Sequence, residues 1–188
     1  MTQAGLFDLE AVVVRQPKRS LWRRYTGPVL SVSTMTGTPL ASVTYTDDTH
    51  LVVTEAAGQL IARIEQFRSR KFRFTDAAGQ EVGSADAPGL MKTRQLRLHT
   101  PGQRRLLLTR PGLPFIQWQL TETDPEESPA PEILGRVTVS TVDSWIGLQQ
   151  YGVETDPRLD PGERRTVLAS VICLHHLRRP PSDRGTPA

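Results

Sequence analysis

Polar and apolar residues alternate along much of this chain. Phe72 and Phe74 fall on one side of an extended segment while Lys71, Arg73 and Thr75 fall on the other. Leu96 and Leu98 flank Arg97, and Ile116, Trp118 and Leu120 interleave with Gln117 and Gln119. A period of two marks strands with one buried and one wet face. Similar stretches begin near Leu9, Val29, Pro39, His50, Leu60, Glu81, Arg104, Ile133 and Ser144. Glycine, proline or aspartate turn signals bound each of them, so the pattern predicts about twelve short strands. Strands this short and this evenly spaced build a closed antiparallel barrel or a sandwich.

The turns echo one another. Thr54-Glu55-Ala56-Ala57-Gly58-Gln59 recurs as Thr75-Asp76-Ala77-Ala78-Gly79-Gln80, and Thr100-Pro101-Gly102-Gln103 is a shorter third copy. Each ends in a glycine, which takes positive φ without steric cost, so a repeated hairpin is expected. Two stretches break the rhythm. Thr123 to Pro131 and Pro180 to Ala188 are rich in proline and small polar residues, and they read as an exposed loop and a disordered tail.

One segment has helical rather than strand character. Asp160-Pro161-Gly162-Glu163 supplies a capping residue, a proline for the first helical position and the acid of a capping box, so a helix is predicted over 161–177. Val167, Leu168, Ala169, Val171, Ile172, Cys173 and Leu174 cover nearly its whole circumference, interrupted at Ser170. A helix apolar all round is a buried one. In a chain made otherwise of strands it fits inside the closed sheet, with Leu168 and Ile172 fully buried. Arg164 and Arg165 would then reach one mouth, and Arg178 and Arg179 the other.

Composition narrows the class. The 188 residues are 37 % hydrophobic and 23 % charged, the balance of a folded chain with room for a continuous core. The expected organisation is a single domain over 1–179, including the helix, followed by the tail 180–188. Cys173 is the one cysteine, which excludes an intramolecular disulfide, and the first ten residues lack the features of an export signal. The net charge of +3 is a mild excess, carried almost wholly by arginine, and does not by itself imply nucleic acid.

Three stretches, in this order, resemble the tubby-like superfamily, which includes phospholipid scramblases and LURP-one-related proteins. They are Phe72-Arg73-Phe74-Thr75-Asp76-Ala77-Ala78-Gly79-Gln80-Glu81-Val82-Gly83, then Ile133-Leu134-Gly135-Arg136-Val137, then the helix from Asp160 to Ile172. The resemblance extends over about residues 28 to 178 and implies a twelve-stranded barrel around a central hydrophobic C-terminal helix. It also implies binding of membrane lipid. The proline-rich and cysteine-rich N-terminal segments of eukaryotic scramblases are missing. Between Glu154 and Asp160 there are too few liganding oxygens at loop spacing for an EF-hand-like site, so calcium-triggered scrambling is not carried over.

Candidate chemistry is sparse. Cys173, His175 and His176 are not a metal cluster on spacing, because adjacent helical histidines diverge by about 100° whereas helical zinc pairs sit at i and i+4. Asp47-Asp48 and Glu126-Glu127 lie in polar, turn-like segments where carboxylates are solvated. Arg94, Arg97, Arg104 and Arg105 read as the wet face of two strands. The strongest candidate is the connection after the first strand, where Lys18, Arg19, Arg23 and Arg24 surround Trp22. That mixture suits anionic lipid headgroups with an interfacial aromatic, and it equally suits nucleic-acid phosphates with base stacking, or a solvated loop.

These readings converge on a non-enzymatic module that uses no cofactor, metal or catalytic residue. It is expected to bind an anionic phospholipid surface or another protein, as a cytoplasmic chain peripheral to the inner membrane face. The alternatives are a nucleic-acid-binding or regulatory protein using the same patch, with nucleic acid the less favoured partner, and an uncharacterised enzyme with its site at a barrel mouth. Oligomeric state is left open.

Overall fold

The computed structural model describes residues 5–18, 29–88, 94–111, 117–122, 131–143 and 148–178. Among the described residues, twelve strands precede one α-helix. They are β1 (Ala11–Arg15), β2 (Leu30–Ser33), β3 (Pro39–Tyr45), β4 (His50–Glu55), β5 (Leu60–Arg68) and β6 (Lys71–Thr75). There follow β7 (Glu81–Asp86), β8 (Gln95–His99), β9 (Arg105–Thr109), β10 (Gln117–Glu122), β11 (Ile133–Asp143), β12 (Leu148–Thr155) and α1 (Pro161–Arg178). Each strand pairs antiparallel with its neighbours in the chain, and β1 pairs with β12, so the sheet closes.

The barrel is the direct product of the alternation. Val12 and Val14, Leu51 and Val53, Phe72 and Phe74, Leu96 and Leu98, and Leu106 and Leu108 all point inward and are buried. Arg73 and Arg97 between them are exposed. Closing the sheet satisfies every edge, which an open sheet of this length would leave as a row of unpaired amides.

Inside the barrel, α1 is buried continuously from Thr166 to His176. Eighteen residues at 1.5 Å each give about 27 Å of helix. The predicted capping box is present in both directions: the Glu163 amide donates to Asp160 Oδ1 at 2.8 Å, and the Asp160 amide donates to Glu163 Oε2 at 3.0 Å. Leu168 and Ile172 are 4 % and 1 % exposed. The helix ends one residue beyond the expected Leu177.

The buried face is more polar than the sequence suggests. Besides Ser170, it includes Glu163, Thr166, His175 and His176. Each has a partner close by. Thr166 Oγ1 bonds to the Gly162 carbonyl at 3.0 Å and the Val82 carbonyl at 3.3 Å, and Ser170 Oγ to the Val167 carbonyl at 2.6 Å.

The echoed turns share one hydrogen-bond pattern, in which a residue's amide donates to the carbonyl four residues on and its carbonyl accepts from the amide three residues on. It occurs at Glu55, Asp76 and Thr100, and again at Thr34. The positive-φ position is Gly58 and Gly79, as expected, and Gly37 in the turn after β2, but it is Gln103 at φ 60° in the turn after β8. Gly102 therefore sits one place too early, and the third copy is offset by one residue from the first two.

Candidate functional site

An up-and-down barrel sorts its connections into two rings. The turns β2–β3, β4–β5, β6–β7 and β8–β9 lie at the end where α1 starts, here called the floor. The connections β1–β2, β3–β4, β5–β6, β7–β8, β9–β10 and β11–β12 lie at the end where α1 finishes, here called the rim.

Charge separates between these two ends. At the rim stand Arg15 at the end of β1 and Lys18 just beyond it, Arg68, Arg70 and Lys71 at the β5–β6 tip, and Arg94, Arg110 and Arg178. Asp47, Asp48, Asp86 and Asp143 oppose them, which leaves a net of +4. At the floor, Asp8, Glu10, Glu55, Asp76 and Glu81 precede Glu122, Glu132, Glu154, Asp156, Asp160 and Glu163. Only Arg104, Arg105, Arg158, Arg164 and Arg165 answer these eleven, for a net of −6 among the described residues. Outside the described residues, the sequence between Lys18 and Val29 contains Arg19, Arg23 and Arg24 and no acid, and that between Glu122 and Pro131 contains Asp124, Glu126 and Glu127 and no base. The mild overall charge hides a polarised molecule. Its sense agrees with the helix dipole, whose positive end is at the floor and negative end at the rim.

At the rim a polar network finishes the helix. His176 Nδ1 lies 2.7 Å from the Tyr45 hydroxyl, and its Nε2 lies 2.8 Å from Gln66 Oε1. Gln66 Nε2 donates to the Ser69 carbonyl at 2.6 Å, which fixes the amide orientation. His175 Nδ1 lies 3.2 Å from the Tyr151 hydroxyl, which donates to Gln149 Oε1 at 2.7 Å. Gln149 in turn exchanges two bonds with Gln16, at 2.8 and 3.0 Å. The histidines part to different walls of the barrel, as their spacing requires. Both are buried in this network near the end of α1. Burial pushes the Cys173 thiol well up, and its side chain is fully enclosed.

Two floor arginines, Arg104 and Arg158, each pair with two carboxylates. Arg104 reaches Glu122 at 2.9 Å and Glu163 at 3.2 Å, tying the start of α1 to the sheet. Arg94, Arg97 and Arg105 are exposed as expected. Arg104 departs from the expected wet face because two carboxylates draw its guanidinium over the floor end of the barrel, toward the start of α1. A cavity of about 10 Å³ between the 3₁₀ turn Leu6–Asp8, β1, β12 and α1 has room for one water and no more.

Of the sequence candidates, Lys18 is exposed at the rim, two residues past the Gln16 anchor. Arg19, Trp22, Arg23 and Arg24 lie outside the described residues, as do Glu126-Glu127 and the tail 180–188. Missed in the sequence was the β5–β6 tip, where Phe67 is 42 % exposed beside Arg68, Arg70 and Lys71. Continuing the alternation from Ala62 and Ile64 puts Gln66 inside and Phe67 outside, so the signal was present. Among the described residues, no helix is long and apolar enough to cross a membrane, and no three of His, Cys, Asp and Glu gather as metal ligands.

Fold and ends together define a class: a twelve-stranded up-and-down barrel filled by its own C-terminal helix and polarised between floor and rim. No family model and no curated protein matches the chain. The X-ray structure of an Arabidopsis thaliana protein is similar over 74 % of this chain and 90 % of that one, at 12 % identity and a TM-score of 0.38.

Proposed function

We propose that this chain is a non-enzymatic tubby-like module that attaches, rim first, to an anionic phospholipid surface on the cytosolic side of a membrane. The observation that carries the reading is the charge separation, a net of +4 at the rim against −6 at the floor. Such a dipole turns a diffusing molecule so that its positive end meets a negative surface while the other end is repelled. Each basic residue held near that surface contributes about 1 kcal/mol, enough in sum for reversible attachment without a lipid anchor. The three stretches that resemble the tubby-like superfamily support the same reading.

The test is co-sedimentation with vesicles. The chain should pellet with phosphatidylserine-containing vesicles and stay in solution with pure phosphatidylcholine. Binding should fall away above about 0.3 M salt, where the Debye length is well under 10 Å. Changing Arg19, Arg23 and Arg24 together to serine should weaken it strongly. A chain that ignores acidic vesicles at low salt overturns the proposal, and one that binds a single-stranded oligonucleotide instead, through the same arginines, replaces it with the nucleic-acid reading.

A further inference from the structure

Three large hydrophobic side chains stand exposed among the described residues: Met35, Phe67 and Ile133. Met35 lies in the β2–β3 turn and Ile133 begins β11, so both belong to the acidic floor. Phe67 alone of the three is at the basic rim. Its neighbours in the hairpin are Arg68, Arg70 and Lys71; Asp86 lies 4.0 Å from the Lys71 ammonium, and Glu65, two residues before Phe67, lies 3.8 Å from the Arg73 guanidinium.

The tip is held rigidly. Arg68 pairs with Lys71, leaving Ser69 and Arg70 as the two-residue loop, and the register shifts between Gln66 and Arg68. Phe67 stands on the outer face, in step with Arg63 and Glu65 along β5. Gln66, one residue earlier, points inward and joins the Ser69 carbonyl to His176 at the end of α1. The Arg70 carbonyl accepts from the Ala87 amide at 2.9 Å. One side of the Phe67 ring is covered by the Arg73 guanidinium, 5.1 Å from its centroid.

An exposed aromatic on a pinned loop flanked by three cations has the composition of an interfacial contact, in which the ring enters the headgroup region and the cations meet lipid phosphates. Because the loop is ordered beforehand, little conformational entropy is lost on docking. We infer that the β5–β6 tip, Phe67 to Lys71, is a membrane-inserting contact for anionic phospholipid, separate in sequence from the basic connection after β1. The inference rests on the proposed lipid attachment and adds to it which loop enters the bilayer.

A site-specific fluorophore decides the matter. Cys173 is fully buried with its thiol held protonated, so it does not compete for labelling in the folded chain. An environment-sensitive dye on Ser69→Cys should shift to the blue on phosphatidylserine-containing vesicles and be quenched by nitroxide-bearing lipid. The same dye on Ala57→Cys, in the β4–β5 turn at the floor, should stay aqueous. The double variant Phe67→Ala with Arg68→Ser, melting like the parent, should bind those vesicles about tenfold more weakly. If the chain pellets with acidic vesicles while the Ser69 dye stays aqueous, if both dyes shift alike, or if the double variant binds unchanged, the inserting tip is refuted and the attachment stands. If nothing pellets, both fall.

Discussion

A Cβ placed on Gly83 would lie 2.7 Å from Thr166 Oγ1 and 2.9 Å from the His99 carbonyl oxygen. The helix and β7 therefore touch at a point where no side chain fits, and α1 enters the barrel through that contact. Gly83 also holds φ at 144°, a region that disfavours other residues.

Gly83→Ala should therefore destabilise the chain by about 3 kcal/mol, from overpacking and backbone strain together. Adding Thr166→Ala should recover little, because the His99 oxygen is backbone and cannot yield. Gly102→Ala is the control, since open space surrounds its Cβ position, and it should leave the urea midpoint almost unmoved. A Gly83→Ala midpoint equal to the parent's would mean that α1 does not seat against β7.

The filled interior predicts a second effect. Leu168→Ala removes a side chain only 4 % exposed and should cost about 2–5 kcal/mol through lost transfer energy and the cavity left behind. Ala169→Arg would place an unpaired charge in the same packed space and should yield no soluble folded protein. Urea unfolding and analytical size exclusion check the two variants respectively.

Arg104 supplies a third. It bridges the buried Glu163 and the half-exposed Glu122, so Arg104→Leu leaves a buried carboxylate short of its countercharge while its capping bonds to Asp160 remain. The expected loss is about 1–3 kcal/mol, below that of a fully enclosed pair because Arg104 itself is partly solvated. Glu122→Gln should cost much less, as an exposed pair does.

Acid sensitivity follows from the same floor. The Arg104 guanidinium holds the Glu122 carboxyl below its usual 4.5, and bonds from Arg158 pull Asp156 from 3.8 down to about 2. Both acids have depressed folded values, so their contribution is fully present above the unfolded values and is lost as pH falls through the folded ones. The melting temperature should stay level above about pH 5 and decline between there and about pH 2. Asp156→Asn and Glu122→Gln together should flatten part of that decline. A profile identical to the parent's would remove these two groups from the acid response.

Much of the architecture was legible in the residues. The inward phenylalanines and leucines kept a period of two, and the Asp160-Pro161-Gly162-Glu163 start and apolar circumference of α1 located the buried helix. The offset third turn was not legible, because Gly102 advertises the wrong position and the strained residue is Gln103. The polarity of the molecule was hidden for a different reason: charges far apart in sequence share an end only once the strand order is known. The outward direction of Phe67 was legible in the alternation of β5, but its place at a basic end needed the strand order.

The network at the end of α1 makes a last, spectroscopic prediction. Gln66 Nε2 is committed to the Ser69 carbonyl at 2.6 Å, so the oxygen of that amide is what faces His176 Nε2 at 2.8 Å. An oxygen acceptor there requires the ring nitrogen to donate. The neutral His176 ring thus carries its proton on Nε2, and Nδ1 accepts the Tyr45 hydroxyl at 2.7 Å. Nitrogen-15 shifts of the side chain should show the Nε2-protonated tautomer. Tyr45→Phe takes away the donor to Nδ1 and should cost about 1–2 kcal/mol while leaving that tautomer in place. Gln66→Leu should cost a similar amount but release the tautomer preference, because it is the Gln66 oxygen that sets it. If the parent instead shows its proton on Nδ1, the amide is turned the other way and Tyr45 is the acceptor.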